Sequence, residues 1–152
     1  MNYKIEVLAD CNVIFVRNQG KYGSNKNYEM LRRFKEWIKE NCYWRYVETN
    51  GIIGVALDNP KIIDEELCRY DLVIKIDEDV KTNDSINSRS FIGGKYAVFT
   101  IPHTIKDVKN FYSKLPNIID NNHLKVKNEA ILERYKEEEG LDNFCEILIP
   151  IT

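Results

Sequence analysis

The length, composition and charge of the chain are those of one globular domain. Its 152 residues suit a single domain of ordinary size, and 43% hydrophobic against 30% charged residues is enough for a core. The net charge of −2 argues against a dedicated nucleic-acid binder, because such proteins carry a basic surplus. No apolar run approaches the roughly 20 residues that cross a bilayer, and the N-terminus has no apolar signal core. A cytoplasmic protein without membrane contact is therefore expected.

The first predicted element is a strand. It covers Tyr3–Val7 and continues through Val13–Arg17, with an interruption at Ala9-Asp10. A glycine-containing loop follows, after which Ser24 or Asn25 can cap a helix. That helix is predicted from apolar residues that recur at helical spacing, namely Met30, Leu31, Phe34, Trp37 and Ile38.

Two further strands complete the first half of the chain. The helix should end near Asn41, and Ile52–Leu57 then reads as a strand that stops at the turn signal Asp58-Asn59-Pro60. Cys68–Ile76 is predicted to be a third strand, and the polar stretch Asp77–Ser90 to be a loop. The first half therefore has the order β-α-β-β.

The second half repeats this order. A strand begins at Phe91 and continues over Lys95–Ile101, with Gly93-Gly94 inside it as the signal of a bulge or a close backbone approach. Thr104 is a good N-cap for the next helix, which Pro116 should end. The helix stripe is Ile105, Val108, Phe111, Tyr112 and Leu115, a loop is predicted over Asn117–Asn128, and the last two strands are Ile131–Tyr135 and Cys145–Ile151.

Strands of the two halves correspond at a spacing of about 80 residues, far beyond the period of solenoid repeats. This predicts an α+β domain over residues 1–152, built from two β-α-β-β lobes at 1–80 and 86–152 with pseudo-twofold symmetry. The antiparallel sheet should carry both helices on one side, with a ligand cleft between the lobes. The corresponding pairs are Val13–Arg17 with Ala97–Ile101, Ile52–Leu57 with Ile131–Tyr135, and Tyr70–Ile76 with Glu146–Ile151.

Glu133 is the most informative candidate for a binding residue. Strand alternation places it on one face with Ile131 and Tyr135, so its carboxylate is partly withdrawn from water and its pKa should rise. Such a carboxylate needs an internal Arg or Lys or a cationic ligand. From the residues alone, a salt bridge and a simple edge-strand position remain open alternatives.

Tyrosines supply the other candidates, and the chain has nine of them. Tyr96 follows Gly93-Gly94, whose lack of side chains lets the next ring stand over a cavity. An ordinary cross-strand aromatic pair explains Tyr96 equally well. Tyr70 opens a strong strand and fits either a ligand pocket or the core.

No motif for a nucleotide, a metal ion or a hydrolytic nucleophile appears in the sequence. The four cysteines form no C-x-x-C pair and are interpreted as reduced structural thiols, and the two histidines as surface residues. Neither a metal nor a cofactor is expected. The run Lys136-Glu137-Glu138-Glu139 is interpreted as a solvated turn.

Six stretches of the chain, in order, resemble the GyrI-like (gyrase-inhibitor-like) small-molecule-binding domain, and together they cover nearly its whole length. The resemblance implies tandem lobes with a groove between them that has aromatic walls and an acid at its base. In this sequence that acid is Glu133, and the other implied ligand contacts are Tyr22, Tyr70, Tyr96 and Tyr135. The six stretches are Arg17–Gly23, Gly54–Pro60, Cys68–Asp71, Gly93–Phe99, Leu132–Tyr135 and Glu146–Ile151.

The resemblance implies a bulky aromatic or cationic ligand, bound by a sensor of transcription regulation or by a stand-alone binder. Family domains of this kind serve AraC-type and multidrug-responsive bacterial regulators, so a fused or separate DNA-binding domain and a homodimer are open alternatives. A hydrolase of reactive electrophiles and a gyrase-inhibitor-type interaction module are the competing functions. Because the two lobes consume almost every residue, this chain alone is not expected to bind DNA. It departs from the family before Leu115-Pro116, where relatives often have a tryptophan.

Overall fold

The computed structural model describes residues 2–135 and 143–152, which form eight strands in one sheet and four α-helices. The run Lys136–Glu139 lies outside the described residues. A single 3-10 turn at Glu65–Leu67 is the other helical segment described. In chain order the elements are β1 (Lys4–Leu8), β2 (Cys11–Gln19), α1 (Asn25–Glu40), α2 (Trp44–Asn50), β3 (Ile52–Ala56), β4 (Arg69–Ile76), β5 (Asn87–Phe91), β6 (Gly94–Pro102), α3 (Ile105–Ser113), α4 (Leu115–Asn121), β7 (Leu132–Tyr135) and β8 (Phe144–Ile151).

The sheet has the order β1-β6-β8-β7-β3-β4-β2-β5, and every neighbouring pair is antiparallel. The order is symmetric about its centre: from one edge inward the strands are β1, β6, β8 and β7, and from the other edge inward their counterparts are β5, β2, β4 and β3. The helices lie on one face, where Phe34 and Ile38 of α1, Val47 of α2 and Phe111 of α3 share a core with the sheet. The predicted α+β fold with its helices on one side is therefore confirmed.

The predicted first strand is wrong in one respect, because Tyr3–Val7 and Val13–Arg17 are not parts of one strand. β1 lies at one end of the sheet beside β6, whereas β2 lies six places away beside β4. In the same way β5 leaves the second half of the chain to pair with β2. Each half therefore gives an edge strand to the other, so the sequence boundaries of the lobes are not boundaries in space.

These exchanges force the sheet to curl. Six strand spacings in a flat sheet amount to about 29 Å, yet Ala9 and Asp10 alone connect β1 to β2, a reach of about 11 Å. The equally short connection at Ile92-Gly93 joins β5 to β6 across the same gap. The face without helices consequently closes on itself and buries a second apolar cluster, comprising Val13, Val55, Val73, Phe91, Tyr96, Val98, Leu132 and Leu148.

The strand registers also correct two of the three predicted correspondences by one residue. Val13 belongs to the cluster on the helix-free face, whereas Ala97 belongs to the core under the helices, so the two cannot be equivalent. When the two halves are aligned so that equivalent residues lie on the same face of the sheet, Val13 corresponds to Tyr96 and Asp71 corresponds to Glu146. They leave the predicted match of Ile52–Leu57 with Ile131–Tyr135 unchanged, so Gly54 corresponds to Glu133.

Three elements differ from the sequence-based expectation. Residues Trp44–Asn50 form α2, and β5 lies within the predicted loop Asp77–Ser90 and continues to Phe91. Pro116 does not end the second-half helix, which already stops at Ser113, but lies in the first turn of α4. Proline is tolerated there because the first-turn N–H groups have no helical acceptor.

A candidate ligand site on the helix face

Glu133 lies at the middle of the sheet, on the face that carries the helices. It belongs to β7, which pairs with β3 as the central strands of the eight, and its partner across that pair is Gly54. The main helix contacts fall to either side, with α1 on β2, α2 on β4 and α3 on β6. The carboxylate therefore lies between the two sets of helices, where the pseudo-twofold axis passes.

The Glu133 carboxylate has one recorded polar contact among the described residues. The Tyr112 hydroxyl of α3 donates a hydrogen bond of 3.0 Å to its Oε1. Burial raises the pKa of Glu133 above its ordinary value, and the bond from Tyr112 opposes this effect only in part. Within residues 2–135 and 143–152, no lysine or arginine forms an ion pair with it, so the predicted alternative of an internal salt bridge finds no support.

Tyr70 forms a second wall beside Glu133, and Gly54 makes room for it. A Cβ built on Gly54 would lie 2.0 Å from the Tyr70 hydroxyl oxygen, so the ring occupies the space that a side chain would fill. Gly54 is also the register partner of Glu133. Burial, together with the nearby carboxylate, raises the pKa of Tyr70 and keeps its hydroxyl protonated.

Tyr22 supports Tyr70 rather than Glu133 directly. The two rings meet edge to face with centroids 6.1 Å apart. The Tyr22 hydroxyl accepts the Asp58 N–H at 3.0 Å and lies 2.8 Å from the Asp58 carbonyl oxygen, to which it can donate. Tyr22 therefore fixes the position of Tyr70 by tying the loop before α1 to the end of β3.

The structure does not bring Tyr96 together with Glu133. Tyr96 is buried in the cluster on the helix-free face, because β6 directs Ala97 and Phe99 toward the helices and Tyr96 away from them. Tyr135 shares the helix face with Glu133, but it is buried in the core and packs on His103 with ring centroids 5.2 Å apart.

Tyr112 is a neighbour of Glu133 that the sequence analysis placed in the helix stripe without assigning it a role. The available signal was its hydroxyl, since a tyrosine on the buried stripe of a helix must find a polar partner. Glu133 was an acid predicted on a core-facing strand position and could have been named as that partner. Burial and the adjacent carboxylate raise the pKa of Tyr112, so it remains a donor.

The helix-free face carries charges as well, but these charges are paired. Arg134 donates hydrogen bonds to Glu6 at 2.5 and 3.0 Å and to Glu146 at 2.9 Å. A cavity of about 450 Å³ opens beside this cluster and is lined also by Lys75 and Cys11. Its two carboxylates already have a guanidinium partner, in contrast to Glu133.

Two other features are absent from the described residues. No group of three or more His, Cys, Asp or Glu side chains there is arranged to hold a metal ion. In that same part of the chain, no helix has the length and apolar character needed to cross a membrane.

Comparison with known proteins places this geometry in a family context. The SPbeta prophage-derived putative transcriptional regulator YosT of Bacillus subtilis (strain 168) is 34% identical over 151 residues, covering 99% of both chains. The EcmrR C-terminal domain matches in fold over 100% of this chain and 99% of its own, with 13% identity and a TM-score of 0.72. SAV2435 bound to tetraphenylphosphonium matches over 100% and 94%, with 15% identity and a TM-score of 0.59. The model of the GyrI-like small molecule binding domain matches residues 1–152, so the chain belongs to that family.

Proposed function

We propose that this protein binds a bulky lipophilic cation at Glu133, between the two sets of helices, as the effector-binding module of a transcription regulator. The observation that carries the proposal is a partly buried carboxylate with a tyrosine donor and, among the described residues, no basic partner. An unpaired buried charge is costly in the free protein. A ligand that brings a positive charge removes this cost and gains affinity from it.

The surroundings of Glu133 suit a cation with aromatic substituents. Tyr112 contacts the carboxylate through its hydroxyl and Tyr70 fills the space above Gly54, so two aromatic rings lie near the charge. Each cation–π contact that a ligand makes with such a ring contributes about 0.5–2 kcal/mol when water is excluded. Tetraphenylphosphonium, which occupies the related SAV2435, has this chemistry. The similarity to YosT supports the regulatory part of the proposal.

Calorimetric titration of Glu133→Gln tests the electrostatic role of the carboxylate. The substitution keeps the shape of the side chain and removes its charge. Tetraphenylphosphonium should bind at least about tenfold more weakly, because a charge-assisted contact in a dry groove is worth roughly 1.5–3 kcal/mol. Triphenylphosphine oxide, which is neutral, should lose much less affinity.

Glu48→Gln is the matched control, since it removes the same charge from an exposed position on α2. It should leave both affinities unchanged. If Glu133→Gln weakens the cation and the neutral compound equally, the carboxylate acts through shape or folding, and the electrostatic proposal must be abandoned. Failure of wild-type protein to bind tetraphenylphosphonium would exclude this ligand class.

A further inference from the structure

The two edges of the sheet, β1 and β5, are equivalent by pseudo-symmetry but differ in chemistry. The pseudo-symmetry matches each residue of β1 with the residue 83 positions later in the chain. Ile5 pairs with Ala97, and their counterparts Ser88 and Ile14 pair with each other in the same way. On the helix face β5 exposes Ser88 and Ser90, whereas β1 exposes Ile5 and Val7 at the corresponding positions. One edge is therefore polar and the other apolar.

The apolar row on β1 is long enough to form a contact surface. Tyr3, Ile5 and Val7 are 37%, 48% and 72% exposed and form a continuous row along the outer edge of the helix face. Within the described residues β1 has a strand neighbour on one side only, so its outer N–H and C=O groups have no strand partner there. Natural edge strands are normally protected by charges, proline or a bulge, and the helix face of β1 has none of these.

We propose that β1 is a homodimer interface, in which it pairs antiparallel with β1 of a second copy about a twofold axis at Ile5. In that register Ile5 meets Ile5 of the other copy, and Tyr3 meets Val7, so the apolar row is complementary to itself. On the other face Lys4 then meets Glu6 of the second copy, so that two charges already paired within their own chain, Lys4 with Glu146 and Glu6 with Arg134, each gain a second opposite partner across the axis. This charge complementarity is the reason to assign the edge to a second copy rather than to a different partner.

The same operation on β5 gives an unfavourable pair. A twofold axis at Ser88 would bring Asn87 opposite Arg89, with serines in place of the apolar row. Only the β1 edge is thus suited to self-association, and the product is a closed dimer rather than a growing fibre.

Analytical ultracentrifugation over a range of concentrations tests the proposal. A five-residue strand pair is smaller than a standard interface of about 1,600 Å², so a dissociation constant on the order of 10 μM is expected. Ile5→Lys places two ammonium groups across the axis and should weaken association at least about tenfold. Ile92→Lys, at a residue 74% exposed on the connection between β5 and β6, should have no effect.

Disulfide trapping tests the register separately. Because Cys42 is exposed, the comparison is made in a Cys42→Ser background. Ile5→Cys should then cross-link under mild oxidation, since directly opposed residues have the Cα spacing that a disulfide needs, whereas Ser88→Cys at the equivalent position should not. Monomeric protein at several hundred micromolar, a dimer that Ile5→Lys leaves intact, or equal cross-linking of the two variants would each overturn the proposal. All variants should keep wild-type thermal unfolding, because the altered side chains are exposed.

Discussion

A fully buried acid, Asp71, and a partly buried acid, Glu133, have opposite electrostatic surroundings. The Asp71 side chain is fully buried and is held by Arg17 at 2.6 and 2.9 Å and by Arg89 at 3.1 Å. Glu133 receives a neutral hydroxyl. Asp71 is thus compensated within the described structure, whereas the proposed function has a cationic ligand compensate Glu133.

The raised pKa of Glu133 leads to a pH dependence of cation binding. Below that pKa the carboxyl group is neutral and offers no charge, so the affinity for tetraphenylphosphonium should increase as pH rises through it and become constant above it. Tyr70 and Tyr112 stay protonated throughout, because burial raises their pKa values as well. Titration at several pH values should give this profile for wild type and a flat line for Glu133→Gln.

Protein stability should show the opposite trend. A carboxyl whose pKa is higher in the folded than in the unfolded state stabilises the fold below the unfolded pKa, and this contribution is lost as pH rises through the folded pKa. Glu133→Gln should therefore unfold at a higher temperature than wild type at neutral pH, with a difference that disappears in acid. A lower melting temperature at neutral pH would mean that the carboxylate is compensated in the free protein.

At this scale the sequence was sufficient to predict the strand face of Glu133 and insufficient to predict which residues surround it. Alternation within β7 places Glu133 and Tyr135 on one face, and the structure agrees. The face on which Tyr96 lies could not be predicted, because the face of a strand residue depends on register, and a shift of one residue reverses it. The contact between Tyr112 and Glu133 could not be predicted, because it depends on α3 packing next to β7, and no local sequence pattern encodes that packing.

The two longer helices offer a test of capping at the scale of elements. Both Ser24 and Thr104 were predicted N-caps, but only Thr104 accepts a hydrogen bond, from the Asp107 N–H at 3.0 Å. The Ser24 hydroxyl is buried without a partner among the described atoms. Thr104→Ala should therefore cost about 1 kcal/mol of unfolding free energy, whereas Ser24→Ala should cost almost nothing.

Urea denaturation of both variants measures the difference. Equal losses of unfolding free energy would show that Ser24 caps α1 in solution. The pair also marks what a sequence pattern provides: residue type identifies the position of a cap, but the side-chain rotamer decides whether the bond forms.

The remaining differences between expectation and structure at this scale arise from short elements. α2, α4 and β5 contain only seven, seven and five residues, so their patterns are too brief for a period to be recognised. Their formation depends on tertiary contacts. Tyr46 and Val47 of α2 are buried in the common core, and β5 is held by its register with β2.

At the scale of the whole molecule, the exchange of β1 and β5 is the feature that the sequence could not predict. The β-α-β-β repeat is local and readable from periodicity. Whether the first strand of each half pairs within its own half or with the other half depends on the curl of the whole sheet. The sequence showed the interruption at Ala9-Asp10 but not that the chain crosses there to the opposite edge of the sheet.

The crossing of the two short connections gives a prediction about Gly93. A Cβ at this position would lie 2.0 Å from the Leu8 carbonyl oxygen, and the obstacle is backbone that cannot rotate away. The Gly93 N–H also donates to the Asp10 carboxylate at 2.7 Å, which fastens one connection to the other. Gly93→Ala should therefore separate the connections and destabilise the curled sheet by about 3 kcal/mol, or roughly 6–12 °C in melting temperature.

Gly94→Ala is the control, because its Cβ would meet only the Tyr96 ring at 3.9 Å, an ordinary contact. Thermal unfolding of the two variants should differ clearly, since one substitution strains the crossing on which all eight strands depend and the other adds a methyl group to free space. If both variants melt with wild type, the two connections do not touch in solution. The two connections would then lie farther apart in solution than in this structure.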